Sequence, residues 1–254
     1  MSAGVNFLIQ FSGWVHSTYT KSERLYDLLG SLGHITSACV TFGTSSQLPK
    51  QQLLTGMLVA WSSRLGMFLS YRIWKAGEDS RFVKMRNSPK AMGKMWFGQA
   101  VWVLLAGLPV NLVNTAPDSS AQLSWTPTEM LGVFLFSFGF LFETIADFQK
   151  LRFRSNPDNK HKFIQHGLWS LSRHPNYFGE ICLQLGIYLF ALSSLSLPLK
   201  AVSGLSPLLT ILLLTRVSGI PLLEKQALAR WGDSQLYKQY LQNTPLLIPF
   251  FGRK

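Results

Sequence analysis

The sequence predicts an all-α, polytopic membrane helical bundle with about seven transmembrane helices. Three observations indicate this fold class. The chain of 254 residues is 47% hydrophobic and only 14% charged, which is too apolar for a typical soluble domain. Apolar stretches of about 20 residues, enough to cross a bilayer core of about 30 Å, recur along it. The loops between them alternate between basic and nearly uncharged, as the positive-inside rule predicts.

Five stretches have the length and composition of a span: about 52 to 71, 95 to 113, 128 to 149, 177 to 195 and 204 to 223. Two N-terminal stretches, about 3 to 16 and 27 to 43, are shorter and contain polar residues: His16, Asp27 and His34. We predict that these also span, with an interfacial or re-entrant position as the alternative.

Proline marks several predicted boundaries. Pro221 is expected to kink the last span, because proline has no N–H to bond the carbonyl four residues earlier. Three short segments are predicted turns: Asn156-Pro157-Asp158-Asn159, Ala116-Pro117-Asp118 and Leu197-Pro198.

The loop charges predict the orientation. Loop 72 to 94 holds seven Lys or Arg, loop 150 to 176 holds six and the tail after Glu224 holds five, whereas the intervening loops contain only Lys50 and Lys200. This alternation places the N-terminus outside or lumenal and the C-terminus in the cytoplasm. The membrane would be the endoplasmic reticulum in a eukaryote and the inner membrane in a bacterium.

The remaining composition excludes other classes. The net charge of +12 is explained by orientation, and no basic, aromatic surface module predicts a nucleic-acid partner. Cys39 and Cys182 both lie in predicted spans, so no disulfide framework is expected. His161 and His166 have no metal-ligand spacing with them, so no metal site is predicted. The N-terminus lacks the basic region of a cleavable signal peptide. The eight Trp residues are interpreted as anchors at the membrane interface.

Six ionisable residues lie within or at the edges of the spans: Arg64, Glu143, Asp147, Glu180, Arg216 and Glu224. A charge at mid-bilayer costs at least about 2.5 to 3.5 kcal/mol, so we expect these groups to face one another or a wet cavity. Glu143 and Asp147 are four apart and share a helix face. Structural pairing of these carboxylates with Arg64 or Arg216 is the alternative to a binding site.

The segment Gly167 to Glu180 (GLWSLSRHPNYFGE) places Arg173, His174, Asn176, Tyr177 and Glu180 at the entrance of a span. Pro175 suits the first position of a helix, where its missing N–H costs nothing. The free N–H groups of that first turn can bind an anion or an amide. This combination predicts a binding site at the helix mouth.

Three segments together resemble the steroid 5-alpha-reductase-like superfamily of integral membrane enzymes: ETIADFQKLRF (143 to 153), GLWSLSRHPNYFGE and SGIPLLE (218 to 224). Tyr26-Asp27, Arg64-Leu65 and GEDSRF (77 to 82) extend the resemblance over nearly the whole chain. It is closest to a broadly distributed, poorly characterised branch.

This resemblance implies one membrane domain over residues 1–254. In it, helices of residues 1–125 would line a substrate cavity and residues 126–254 would hold NADPH. The positions that would contact the cofactor are Arg72, Lys75, Asp147, Arg154, Lys162, Arg173, His174, Asn176, Tyr177, Glu180 and Glu224. Tyr177 and Glu180 are also the catalytic candidates, as proton donors. No G-x-G-x-x-G or Walker sequence occurs, so the site would not be of the Rossmann type.

The implied activity is NADPH-dependent reduction of a conjugated carbon–carbon double bond in a lipid-soluble or sterol-like substrate, with membrane lipid as the other partner. The substrate-carbonyl acid and tyrosine of the steroid reductases do not align with the first spans. One alternative is an S-adenosylmethionine-dependent membrane methyltransferase of the isoprenylcysteine type, which shares a related R-H-P-x-Y element. A non-catalytic lipid-binding or scaffolding membrane protein is the other.

Overall fold

The computed structural model describes residues 2–79, 81–116 and 124–251, and these form helices and connecting turns without a strand. Pro117 and Asp118 of one predicted turn, and Ser80 of the GEDSRF segment, lie outside the described residues. The helices are α1 (Ser2–Thr20), α2 (Tyr26–Gly43), α3 (Pro49–Ala76), α4 (Pro89–Ala106), α5 (Leu108–Thr115), α6 (Pro127–Ser155), α7 (Pro175–Ala191), α8 (Leu197–Ser203), α9 (Leu205–Leu212), α10 (Ile220–Trp231) and α11 (Gln235–Asn243).

The all-helical class is confirmed, and the helices agree with a multi-pass membrane protein. Within the described residues, four segments are long and apolar enough to cross a bilayer: Pro49–Lys75, Pro127–Ser155, Pro175–Ser194 and Leu197–Trp231. The pair α4 and α5, bent by 53°, makes a fifth if it is one span. Helices α1 and α2 form where they are predicted and have 19 and 18 residues, but neither is among the segments apolar enough to span. Seven spans and the orientation of the termini therefore stay predictions.

The segment predicted as the last span is broken. After α9 the chain makes a π-helical turn over Leu213–Val217, and the N–H groups of Ser218 and Gly219 both donate to the carbonyl of Leu213. A side chain at Gly219 would place its Cβ 2.3 Å from the carbonyl oxygen of Leu214, so the tight turn needs glycine. Pro221 then lies in the first turn of α10. It therefore begins a new helix, and the predicted simple kink is wrong.

The Asn156-Pro157-Asp158-Asn159 turn is confirmed. Pro157–Asn159 form a 3-10 turn, and Asn156 Oδ1 accepts the N–H of Asp158. Leu197-Pro198 instead opens α8, because proline in the first helical turn loses no hydrogen bond.

The chain divides into two compact units, each made of two segments. The first unit is Met1–Met130 with Ile187–Ser206, and the second is Leu131–Gly186 with Pro207–Lys254. The division predicted after residue 125 lies near the first of these boundaries, whereas residues 187–206 return to the first unit. The roles predicted for the two halves stay predictions.

Hydrogen bonds from buried side chains join α1, α2 and α4 inside the first unit. Gln99 donates to Gln10 Oε1 at 2.9 Å and to the carbonyl of Tyr26 at 2.8 Å. Trp96 Nε1 donates to Ser17 Oγ at 2.7 Å. Such bonds act as polar links between helices in an apolar environment. Trp96 and Trp61 are buried, so their interpretation as interfacial anchors is wrong.

In the second unit, α6 and α7 approach each other through glycine. A Cβ added at Gly139 would lie 2.4 Å from the carbonyl oxygen of Gly179, and one added at Gly179 would lie 2.6 Å from the backbone nitrogen of Glu143. Small residues allow this close contact of helix backbones. The contact brings the carboxylate-bearing face of α6 against the first turns of α7.

Candidate functional site

The segment before α7 is fixed on α6 by its first residues. Gly167 has a φ of +62°, a conformation that glycine adopts without strain, and the next N–H, of Leu168, donates to Gln149 Oε1 at 2.9 Å. Trp169 is buried and donates from Nε1 to the carbonyl of Ala146 at 3.0 Å. Trp169 is therefore a packing residue, which corrects its interpretation as an interfacial anchor.

Residues Ser172 to His174 form the turn that leads into α7. Ser172 Oγ accepts the N–H of His174 at 3.1 Å, and α7 begins at Pro175, as predicted. The turn presents Arg173 and His174 at the start of the helix.

One carboxylate binds both of these side chains. Arg173 Nη1 lies 2.6 Å from Glu224 Oε2, and His174 Nε2 lies 2.8 Å from Glu224 Oε1. The ring of His174 stacks on Tyr177, with centroids 5.6 Å apart and planes 8° apart. Glu224 belongs to α10, so this contact joins α10 to the turn before α7.

His174 is neutral near pH 7. Burial lowers the pKa of His174, the hydrogen bond and charge of Glu224 raise it, and Lys150 and Arg173 lower it, which leaves that pKa below its ordinary value of 6.5. A neutral imidazole that faces a carboxylate through Nε2 must carry its hydrogen there, so Nδ1 is an acceptor. Among the described residues, His174 Nδ1 and Arg173 Nε are buried and have no hydrogen-bond partner.

A second contact joins α6 to α7. Asn176 Nδ2 donates to Asp147 Oδ1 at 3.1 Å. Asp147 and Glu143 are both buried on α6, and Glu180 lies one turn beyond Asn176 on α7. The carboxylates that the sequence places on one helix face are thus brought against α7.

A hollow within the second unit extends from Arg173 and His174 towards α10 and α11. Its empty volume, counting space that is open to solvent, is about 710 Å³. Its charged lining consists of five cations and one carboxylate: Lys150, Arg154, Lys162, Arg173, Arg230 and Glu224. Its aromatic lining consists of Phe153, Phe163, Trp169, Trp231, Tyr237 and Tyr240.

The aromatic wall is held by hydrogen bonds and ring contacts. Tyr240 Oη donates to the carbonyl of Trp169 at 2.7 Å, and Trp231 Nε1 donates to the carbonyl of His161 at 2.7 Å. The ring of Phe163 contacts those of Trp231, Tyr237 and Tyr240, with centroids 5.7, 4.9 and 5.3 Å apart. Helices α10 and α11 therefore close this side of the hollow.

Residues 13–244 match the family described as "Protein of unknown function (DUF1295)". The chain belongs to the DUF1295 family. This family is in the steroid 5-alpha-reductase-like group, which agrees with the resemblance to that superfamily but names no member of it. The chain matches none of the curated proteins and none of the solved structures with which it was compared.

In this DUF1295 chain, five of the eleven predicted site residues line the hollow, and Asp147, Asn176, Tyr177 and Glu180 lie on α6 and α7 outside that lining. Arg154, Lys162, Arg173, His174 and Glu224 line the hollow. Tyr177 contacts His174, Asn176 contacts Asp147, and Glu180 follows on the same helix. The predicted roles of these residues remain to be tested.

Two predicted cofactor residues belong to α3 in the first unit. Arg72 Nη2 lies 3.9 Å from Asp27 Oδ2, and Lys75 lies in the last turn of the same helix. Their contact with a cofactor stays a prediction. Within the described residues, no group of His, Cys, Asp and Glu has an arrangement that would hold a metal ion.

Several lining residues escaped the sequence interpretation. From the sequence, Lys150 and Arg230 are interpreted only as loop charges that predict orientation. In the structure, Lys150 Nζ lies 4.1 Å from the centroid of the Trp169 ring. A helical signal was present: Glu224, Ala227 and Arg230 recur every three residues and so share one face of α10. The aromatic residues of α11 were outside every predicted motif.

Proposed function

We propose that the chain is a membrane-embedded, NADPH-dependent reductase of a conjugated carbon–carbon double bond in a lipid-soluble or sterol-like substrate. One observation carries this proposal: the hollow in the second unit combines five cations with an aromatic wall. Membership of the steroid 5-alpha-reductase-like group supports it.

The charged lining fits a dinucleotide phosphate. Guanidinium and ammonium groups are the side chains that bind phosphate oxygens, and here they outnumber the single carboxylate. That carboxylate, Glu224, is already bonded to Arg173 and His174. The net positive lining therefore favours a ligand with several negative charges.

Two buried atoms without a hydrogen-bond partner also match polar groups of such a ligand. Arg173 Nε can donate to a carbonyl or phosphate oxygen, and His174 Nδ1 can accept from an amide or a ribose hydroxyl. Both atoms have almost no exposed surface, and a buried polar atom without a partner costs about 1 to 3 kcal/mol. A ligand that reached them after a shift of the side chains would remove that cost. The aromatic wall offers faces for a planar base.

The proposed reaction adds a hydride to the β-carbon and a proton to the α-carbon of an enone or enoyl group. When bound, NADPH supplies the hydride and leaves as NADP⁺. In this proposal Arg154, Lys162 and Arg230 bind phosphate, and Glu224 orients Arg173 and His174. Tyr177 and Glu180, on the first turns of α7, are the candidate proton donors.

The methyltransferase alternative fits the charges less well. S-adenosylmethionine carries a sulfonium cation, an ammonium group, one carboxylate and no phosphate. Five cations around one hollow would repel that sulfonium group. The shared R-H-P-x-Y element leaves the alternative worth testing beside the reductase.

The discriminating experiment measures the thermal stability of the detergent-purified protein with NADPH, NADH or S-adenosylmethionine. A ligand that binds only the native state raises the melting temperature. We expect NADPH to raise it and to be oxidised when an enone lipid is added. Stabilisation by S-adenosylmethionine and not by NADPH would reverse the proposal.

A matched pair of arginines on α6 tests the pocket. Both Arg152 and Arg154 are exposed, but only Arg154 lines the hollow. Loss of one phosphate contact is worth about 1.5 to 3 kcal/mol. We therefore expect Arg154→Ala to weaken NADPH binding roughly tenfold or more and Arg152→Ala to leave it within about twofold. Equal effects of the two changes would contradict a phosphate role for Arg154.

A further inference from the structure

The chain after α11 runs beside the turn that carries Arg173 and His174. The carbonyl of Pro245 accepts the backbone N–H of Arg173 at 2.9 Å. The carbonyl of Leu247 accepts the hydroxyl of Ser172 at 2.7 Å. We call residues 244–251 the C-terminal strap. It contacts the turn through the carbonyls of two residues that are two positions apart, Pro245 and Leu247.

Ser172 joins the strap to the turn. It is fully buried, and its hydroxyl both donates to the strap carbonyl of Leu247 and accepts the N–H of His174. A serine hydroxyl can fill both roles at once because it has one hydrogen and two lone pairs. One side chain therefore fixes the backbone of His174 relative to the strap.

Exposure along the strap agrees with attachment on one side. Pro245 is buried and Leu247 is half-buried, whereas Leu246 and Ile248 are exposed. The residues whose carbonyls bond the turn are thus the ones that face the protein. The strap lies along the turn through these residues and does not hang free from α11.

The turn depends on these bonds because it precedes a helix. The N–H groups of Arg173 and His174 lie before the ladder of α7, and their acceptors are Pro245 O and Ser172 Oγ. Without the strap and the serine, both N–H groups would need other acceptors. The backbone would then move, and the side chains of Arg173 and His174 would shift with it.

We propose that the C-terminal strap positions Arg173 and His174 at the pocket, with Ser172 as the positioning residue. The identity of the ligand in this pocket rests on the proposed function, whereas the contacts between the strap and the turn do not. The strap thereby makes residues 244–251 part of the site without placing any of their side chains in the charged lining.

The test replaces Ser172 and measures backbone hydrogen exchange over residues 171–174 in the full-length protein. Ser172→Ala removes both hydroxyl bonds, and Ser170→Ala is the matched control. Ser170 lies in the same segment, is exposed, and bonds only the carbonyl of Gly167. We expect exchange at Arg173 and His174 to be roughly five- to tenfold faster in Ser172→Ala, as expected for loss of a hydrogen bond, and unchanged in Ser170→Ala.

The same variants are then titrated with NADPH. We expect Ser172→Ala to raise the KM for NADPH about tenfold with kcat within about twofold, because a displaced turn weakens cofactor binding. Simple loss of folded protein would lower kcat and leave KM unchanged. Ser172→Thr, which keeps the hydroxyl, should restore slow exchange if its melting temperature matches that of the wild type.

Pro245→Gly gives a second, independent variant, because it keeps the carbonyl but loosens the strap backbone. Faster exchange at Arg173 in this variant supports the proposal, and unchanged exchange in both Ser172→Ala and Pro245→Gly overturns it. If exchange responds as expected while the wild type does not bind NADPH, the strap's role in positioning the turn stands and the proposed function fails.

Discussion

At the scale of single residues, Glu224 organises the mouth of the pocket. Its two carboxylate oxygens bind different partners, Arg173 at 2.6 Å and His174 at 2.8 Å. Glu224 thereby holds the side chains of two adjacent residues in the turn before α7. Hydrogen bonds to an ionised group are worth about 1.5 to 3 kcal/mol, which is enough to select one orientation for each side chain.

The lowered pKa of His174 predicts a specific pH dependence. Because that pKa is lower in the folded state than its ordinary value of 6.5, the unfolded chain takes up a proton there first as the pH falls. The free energy of unfolding therefore drops as the pH falls below about 6.5 and stops dropping at the folded pKa. One proton contributes a slope of at most about 1.4 kcal/mol per pH unit.

His174→Gln should remove this contribution. We expect the melting temperature of the wild type to fall more steeply than that of His174→Gln between about pH 7 and 5, the range in which histidine gains charge. The other histidines and carboxylates are common to both proteins and act as the internal reference. Parallel melting curves over this range would show that His174 is not held neutral.

Much of the charged site could be predicted from residues that lie close in sequence. Arg173, His174, Asn176 and Tyr177 stand in one short motif, and their position before a span indicated a helix mouth. The contact of Ser172 with Leu247 could not be predicted, because it joins a hydroxyl to a backbone carbonyl and any residue can supply that carbonyl. The same holds for the contact between Arg173 and Pro245.

At the scale of elements, the site depends on the glycine contact between α6 and α7. Gly139 and Gly179 bring the two helix backbones together, and Asp147 and Asn176 then meet at 3.1 Å. Hydropathy predicted both helices but not this contact, since glycine contributes little to an apolar pattern. The recurring spacing of seven residues, at 132 and 139 and again at 179 and 186, was the available signal.

Gly139→Ala should therefore destabilise the protein. Its Cβ would lie 2.4 Å from the carbonyl oxygen of Gly179 and 2.5 Å from the nitrogen of Leu183, and backbone atoms cannot yield without separating the helices. Overpacking of this kind costs about 1 to 3 kcal/mol. We expect a lower melting temperature in detergent and weaker NADPH binding.

Gly98→Ala on α4 is the control for this change. A Cβ there meets nothing within 4 Å, and alanine in a helix is about 0.5 to 1 kcal/mol better than glycine. Its melting temperature should equal or exceed that of the wild type. If Gly139→Ala behaves in the same way, the helices are not in contact at that position.

Helix bounds were predictable only where one apolar pattern continued without interruption. The predicted stretch 128 to 149 lies within α6, which extends to Ser155 as a charged continuation. The stretch 204 to 223 is broken because local bonds to Leu213 compete with the helix ladder, and neither hydropathy nor Pro221 alone indicates a π-helical turn. The polar residues of α1 lowered its hydropathy, and Asn6 and Gln10 are in fact buried between helices.

At the scale of the whole molecule, the two compact units differ in chemistry. The second unit contains the cationic, aromatic hollow. The first unit contains an apolar groove between α1 and α4, lined by Phe7, Gln10, Phe11, Trp14, Gly93, Trp96, Phe97 and Ala100. Such a groove suits a hydrocarbon surface. That residues 1–125 line the substrate cavity stays a prediction.

The basic loop 150 to 176, assigned by charge alone to the cytoplasmic side, supplies Arg154, Lys162 and Arg173 to the hollow. A soluble dinucleotide would reach it from that side. The basic residues that predict the orientation of the chain are therefore also those proposed to bind the cofactor. A count of these residues in the sequence cannot distinguish an orientation role from a binding role.

The central claim is that the hollow of the second unit binds a phosphate-bearing dinucleotide, and affinity labelling tests it most directly. Periodate-oxidised NADP⁺ carries a dialdehyde that forms an imine with a nearby lysine amine, and borohydride fixes the bond for mass spectrometry. Lys150 and Lys162 line the hollow, whereas Lys160, which is exposed in the same loop as Lys162 is, does not. We predict labelling of Lys150 or Lys162 that excess NADPH prevents, with Lys160 unlabelled. Equal labelling of Lys160, or labelling that NADPH does not prevent, would contradict the claim.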